Sequence, residues 1–167
     1  MSLHRDLLQQ ARSLVSKEPR RPKQASLRRA VSAAYYALFH LLISESSRLL
    51  IAKQNLKELR ILASRAFVHS EMKQASKVFA SGSLPTALKT IVGAVPPALK
   101  RVADTFVELQ EARHEADYDI GQRFTRSEVL ELVHRAEDVF TVWDTIRGHQ
   151  SSDVYLASLL LWKKWHY

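Results

Sequence analysis

The stretch AVSAAYYALFHLLI, residues 30–43, is apolar almost all the way round a helix. A helix without a polar face has to be covered on most sides. Whatever this chain folds into must therefore wrap other elements round a helix read over about Gln24–Ala52. At ~1.5 Å per residue that helix is ~43 Å long, the length of a whole domain. Only four glycines and five prolines punctuate 167 residues, and no stretch sustains the apolar–polar alternation of a strand. The elements that wrap it are therefore expected to be helices as well.

Their boundaries are marked locally. A first helix, about Leu3–Lys17, ends at EPRRPK (18–23), where two prolines remove the hydrogen bonding a helix needs. Asn55, with Glu58 three residues on, has the spacing of an N-cap for a third helix. SRAFVHSEMKQASKVFASG (64–82) reads as one helix or two, ending at Ser81–Gly82. A short piece after SLP (83–85) breaks at Gly93, and Pro96-Pro97 opens a long helix running to about Tyr118. Thr125 and Glu128 form a capping box, with Phe124 placed to staple onto Val129, and the helix they open runs to near Gly148. A last helix covers about Asp153–Lys164. The expected fold is all-α: one domain over 1–167, an up-and-down bundle of four or five main helices plus short ones.

Composition narrows the function classes. With no cysteine there is no disulfide, thiolate metal site or thiol nucleophile. The N-terminus MSLHRDLLQQARSLV carries charges where a signal peptide needs an apolar run, and the longest apolar stretch is shorter than the ~20 residues that span a bilayer. The expectation is a soluble, cytoplasmic protein without a membrane partner. Four glycines leave no room for a phosphate-cradling loop or dinucleotide fingerprint, so no cofactor is expected. The net charge of +8 is unevenly spread. Residues 17–29 hold six bases against Glu18 alone, whereas residues 104–119 hold six acids against Arg113 alone. A basic segment of this kind suits an acidic partner such as RNA.

Within that acidic helix, Arg113 and Asp117 lie four residues apart, as an ion pair would. On a wheel of 100° per residue each falls about 20° from the apolar Phe106, so both are expected to face the core. A buried arginine must be paired, because an uncompensated charge costs several kcal/mol, roughly. On the central helix, Arg29, Tyr36 and His40 share a meridian to within about 40° and supply phenol and imidazole groups that can meet the pair. Arg29, Tyr36, His40, Arg113, Asp117 and Tyr118 are the candidate binding residues. Two outcomes are open at this point: a polar network that only fixes helix register, or a working pocket.

RRAVSAAYYALFHLL (28–42) resembles the small-residue, double-tyrosine, Phe-His helix of HEPN domains, small prokaryotic helical proteins. The run Arg113-His114-Glu115-Ala116-Asp117-Tyr118 is similar to the Arg-x-x-Ala-Asp-Tyr signature of their compact, uncharacterised branch. FVHSEMKQASKVFASG (67–82), with His69, and RFTRSEVLELVHRAEDVFTVW (123–143) match two further segments, so the resemblance covers about Arg28–Ile146. It implies a helical bundle that often homodimerises, with a polar cleft near the arginine motif. It also implies RNA or nucleotide as ligand, and a nucleotidyltransferase-type protein as partner. RNA-cleaving relatives carry a histidine after four to six intervening residues. Here those positions are Tyr118, Asp119 and Ile120, so the ribonuclease motif is incomplete. No catalytic residue is assigned. If the chain did cleave RNA as a metal-independent endoribonuclease toxin, Arg113 would steady the phosphate and His40 or Tyr118 would move the proton. A purely structural dimeric module is the third reading.

Two features outside the resemblance remain. Glu-x-x-His occurs at Glu111/His114 and Glu131/His134, the spacing of di-iron bundle ligands, but the wheel turns both glutamates away from the core and no metal site is expected. Trp162 and Trp165, flanking Lys163 and Lys164, are expected to pack the last helix onto the bundle.

Overall fold

The computed structural model describes residues 2–165 and is all-α. Among these residues there are eight α-helices and one 3-10 turn, and no strand. In order they are α1 (Leu3–Val15), α2 (Gln24–Leu50), the 3-10 turn (Gln54–Leu56), α3 (Lys57–Ser64), α4 (His69–Ser81), α5 (Thr86–Val92), α6 (Pro97–Tyr118), α7 (Arg126–Ile146) and α8 (Gln150–Trp165). None of the described helices is long and apolar enough to cross a membrane.

The expected punctuation operates at most boundaries. The capping box closes reciprocally: the Thr125 amide donates to Glu128 Oε2 at 3.1 Å, and the Glu128 amide donates to Thr125 Oγ1 at 3.2 Å. Phe124 and Val129 on either side are both buried. Gly82 ends α4 with φ 77°, and its amide donates to the Val78 and Phe79 carbonyls. Only glycine takes that backbone without strain, and a Cβ there would also come within 2.9 Å of Lys100 Cε.

Asn55 is a correction. It does not cap α3 but sits inside the 3-10 turn, and no side chain caps α3. The chain leaving α2 is fastened instead by Arg60, whose guanidinium donates to the carbonyls of Lys53 at 2.7 Å and Ile51 at 3.2 Å.

Two compact units share these helices among the described residues: 2–40 with 105–141, and 41–104 with 142–165. The divisions fall inside α2, α6 and α7 rather than in a linker.

In the first unit, Ala30, Ala33, Ala34 and Ala37 keep one stretch of α2 thin, while Leu27, Tyr35 and Leu38 fill the space beside them. The Tyr35 ring lies 5.6 Å from that of Phe106 on α6, and both side chains are fully buried. Burial of each contributes roughly 1.5–3 kcal/mol. The unit closes through side chains that grip distant backbone. The Gln24 amide group donates to the Phe124 carbonyl (2.8 Å) and accepts from the Phe124 amide (2.9 Å). Arg126 donates to the carbonyls of Pro19 (3.0 Å) and Glu18, and Arg12 on α1 pairs with Glu137 on α7.

In the second unit α4 and α5 pack on α8. Tyr155 lies 5.1 Å from Phe79 and shares a 2.8 Å hydrogen bond with Ser76, all three being buried. Burial holds the Tyr155 phenol above its ordinary pKa, so it stays protonated and available for that bond. Tyr155→Phe leaves the Ser76 hydroxyl unpaired in an apolar core. The expected cost is about 1–2 kcal/mol, read as a lower urea midpoint at unchanged m-value. Trp162 is buried as expected, whereas Trp165 is 42% exposed.

Candidate functional site

Arg113 is turned inward, as the wheel requires. Its side chain is 12% exposed, and its guanidinium carbon lies 5.0 Å from the Tyr35 ring centroid and 5.8 Å from that of Tyr36. A cation over two ring faces is held by their quadrupoles and gives up much of its freedom to leave. Nη1 reaches Asp117 Oδ2 at 3.4 Å, and Nε is buried without a hydrogen-bond partner. Tyr35 is buried, and burial raises its phenol pKa against the opposing effect of the guanidinium.

Asp117 departs from expectation. Its side chain is 33% exposed, on the rim rather than in the core. It lies one residue from the end of α6, where the azimuth is right but the helix has outrun its cover. It is nevertheless occupied, accepting from Ser32 Oγ at 2.7 Å as well as from Arg113.

Tyr36 and His40 are half-buried and continue the row. The Tyr36 ring stands 5.1 Å from Tyr35 and 6.2 Å from the His40 ring. The structure thus brings Tyr36, His40, Arg113 and Asp117 together. Arg29 and Tyr118 are placed elsewhere. Arg29 is exposed, and Tyr118, 67% exposed, stacks on His114 at 4.9 Å.

Burial lowers the His40 pKa, so the folded protein protonates there less readily than the unfolded chain does. The linkage sign follows: His40 gives its full stability above the unfolded value of ~6.5, and loses it as pH falls from there towards the lowered folded value. In His40→Gln the acid-side fall in urea midpoint below pH ~6.5 is expected to be shallower than in the wild type.

The residue that composition and spacing passed over is Arg28. It is half-buried, and its guanidinium donates to the carbonyls of Ala116 (2.8 Å), Asp119 (2.9 Å) and Gln122, closing the C-terminal end of α6 and the turn beyond it. It also lies 5.7 Å over the Phe124 ring. A signal existed: Arg28 is seven residues before the core Tyr35, whereas Arg29 is seven before the half-buried Tyr36. Arg28, Gln24, Asp117, Gln122, Ile120 and Arg123 line a shallow cleft of about 360 Å³.

The loop over 16–23 carries the opposite polarity to α6. Lys17, Arg20, Arg21 and Lys23 are all exposed. Its one acid is turned back: Glu18 accepts from Ser26 Oγ at 2.7 Å and from the Lys23 amide at 3.4 Å. The Ser26 hydroxyl is the main reason that the Glu18 carboxyl sits below its ordinary pKa. On the other side, Glu111, Glu115, Glu128 and Arg135 line a groove between α6 and α7. Glu111, His114, Glu131 and His134 are exposed, so neither Glu-x-x-His pair projects inward, and no His/Asp/Glu group among the described residues is arranged to hold a metal ion.

No family model matches the chain, and no curated protein or solved structure matches it significantly.

Proposed function

We propose that the protein is an HEPN-like, RNA-associated binding component without cleavage chemistry of its own, and that the loop over 16–23 is its phosphate contact. One observation carries the reading. Four bases stand outward on a loop whose only carboxylate is spent internally on Ser26 and the Lys23 amide. Arg126 holds the Glu18 and Pro19 carbonyls from behind, which limits how much order RNA would have to impose on the loop.

The Arg113 cluster argues for the same division of labour. A guanidinium capped by two tyrosines and paired with Asp117 is a poor partner for an incoming phosphate, and the exposed carboxylates of α6 repel one. Arg113 serves in this reading to lock α2 to α6 in the first unit. The resemblance to HEPN proteins adds a nucleotidyltransferase-type enzyme as the partner that would act on the RNA.

The test compares wild type and Arg113→Ala on a labelled single-stranded RNA with chelator present. Both are expected to bind equally and leave the RNA intact, while Arg113→Ala loses about 1–2 kcal/mol of stability with its ring contacts. Cleavage by the wild type that disappears in Arg113→Ala overturns the reading in favour of an endoribonuclease.

A further inference from the structure

Helix α3 is left uncovered by its own unit. None of its residues is buried; Leu59 and Leu62 on one side of it, and Leu56 in the turn just before, are 46%, 57% and 36% exposed. Ile61 adds 43%. An eight-residue helix is marginal in water and normally depends on packing of its apolar face. Exposed leucines that share one side of a short helix are candidates for an interaction surface.

The charge round the stripe selects what covers it. Between residues 53 and 65 there are four bases, Lys53, Lys57, Arg60 and Arg65, against Glu58. Arg60 is turned back onto the Ile51 and Lys53 carbonyls, which leaves Lys53, Lys57 and Arg65 outward. Two such faces brought together repel each other, which disfavours α3 packing on α3 of another copy. The complement is an apolar floor with a carboxylate rim. The first unit presents one: the groove of about 340 Å³ between α6 and α7, lined by Ala112, Phe124 and Leu132 and by five glutamates against one base, Arg135, which pairs with Glu108 and Glu131 and leaves Glu111, Glu115 and Glu128 in excess.

We propose that the protein self-associates by seating α3 of one copy in the α6–α7 groove of a second copy, leucines on the floor and bases towards the glutamates. Each copy offers one helix and one groove, so every copy is satisfied either in a reciprocated two-fold pair, which is isologous, or by head-to-tail propagation, which is heterologous. It uses neither the basic loop nor Arg113, and it stands or falls independently of RNA binding.

Sedimentation of the full chain over a concentration series is the experiment. The wild type is expected to self-associate at low salt and to weaken as salt rises, since rim charges are screened. Leu59→Asp with Leu62→Asp, and separately Glu111→Lys with Glu115→Lys, are each expected to raise the dissociation constant at least about tenfold. All four positions are non-core, and thermal melts check that each variant stays folded. Lys57→Glu with Arg65→Glu is expected to restore association with the Glu111→Lys, Glu115→Lys variant. A wild type that stays monomeric overturns the proposal. So does association that the leucine variant abolishes and the groove variant leaves intact, which is the signature of α3 packing on itself. Binding of the monomer to anionic vesicles through the leucines, without self-association, overturns it in favour of a lipid surface.

Discussion

Arg28→Met is expected to lower stability by about 2–3 kcal/mol, more than any other single charge removal in the first unit. The side chain donates to three carbonyls spread over residues 116–122, and its guanidinium lies over the Phe124 ring. Carbonyls at the end of a helix have no partner within the helix, so they depend on water or a side chain. A cation is the favoured side chain there because it also opposes the negative end of the helix dipole. Methionine preserves most of the volume and removes every donor, which isolates the hydrogen-bonding contribution from packing. Arg28→Lys keeps the charge without the planar fork and is expected to recover only part of the loss. Urea unfolding measures the cost, and hydrogen exchange locates it, with faster exchange expected around residues 119–124. A change below about 0.5 kcal/mol would mean that water replaces the guanidinium at no cost, contrary to this account.

The second large effect concerns affinity. Replacing Lys17, Arg20, Arg21 and Lys23 together with glutamine is expected to weaken single-stranded RNA binding by about a hundredfold or more at low salt, through lost phosphate contacts. The four side chains are exposed and make no packing contribution to the core, so the fold should keep its stability. Glu18 and Ser26 are left in place, which keeps the loop in its present shape. A loss of this size without a change in melting temperature separates phosphate contact from folding. Equal binding by the variant would move the RNA site elsewhere on the protein.

What could be read in advance was whatever depends on neighbours in the chain. The all-apolar girth of α2, the prolines before α2 and at the start of α6, Gly82 after α4 and the Thr125–Glu128 box all act within a few residues, and each operates as read. The failures are of more than one kind. Arg28 spends its donors on carbonyls some ninety residues later, and nothing beside it announces that. Asn55 is drawn into a 3-10 turn that places Leu56, not Asn55, at the start of α3, and the N-cap spacing alone does not reveal that turn. Asp117 has the azimuth of a core residue at a height where the helix end is no longer covered, a coordinate that a helical wheel lacks. The candidate site was accordingly half legible: Tyr36, His40, Arg113 and Asp117 come together, joined by Tyr35 and Ser32, while Arg29 and Tyr118 do not.

The central claim is that the basic loop, not the arginine cluster, meets RNA, and the salt dependence of binding addresses it most directly. Each phosphate neutralised on a single strand contributes about −0.7 to the slope of log K against log salt, so four contacts give a slope near −3. Fluorescence anisotropy of labelled single-stranded RNA should return that slope for the wild type and for Arg113→Ala alike, and a slope near zero for the four-base variant. A wild type that binds no RNA at low salt, or a slope that collapses in Arg113→Ala while the four-base variant keeps it, contradicts the account.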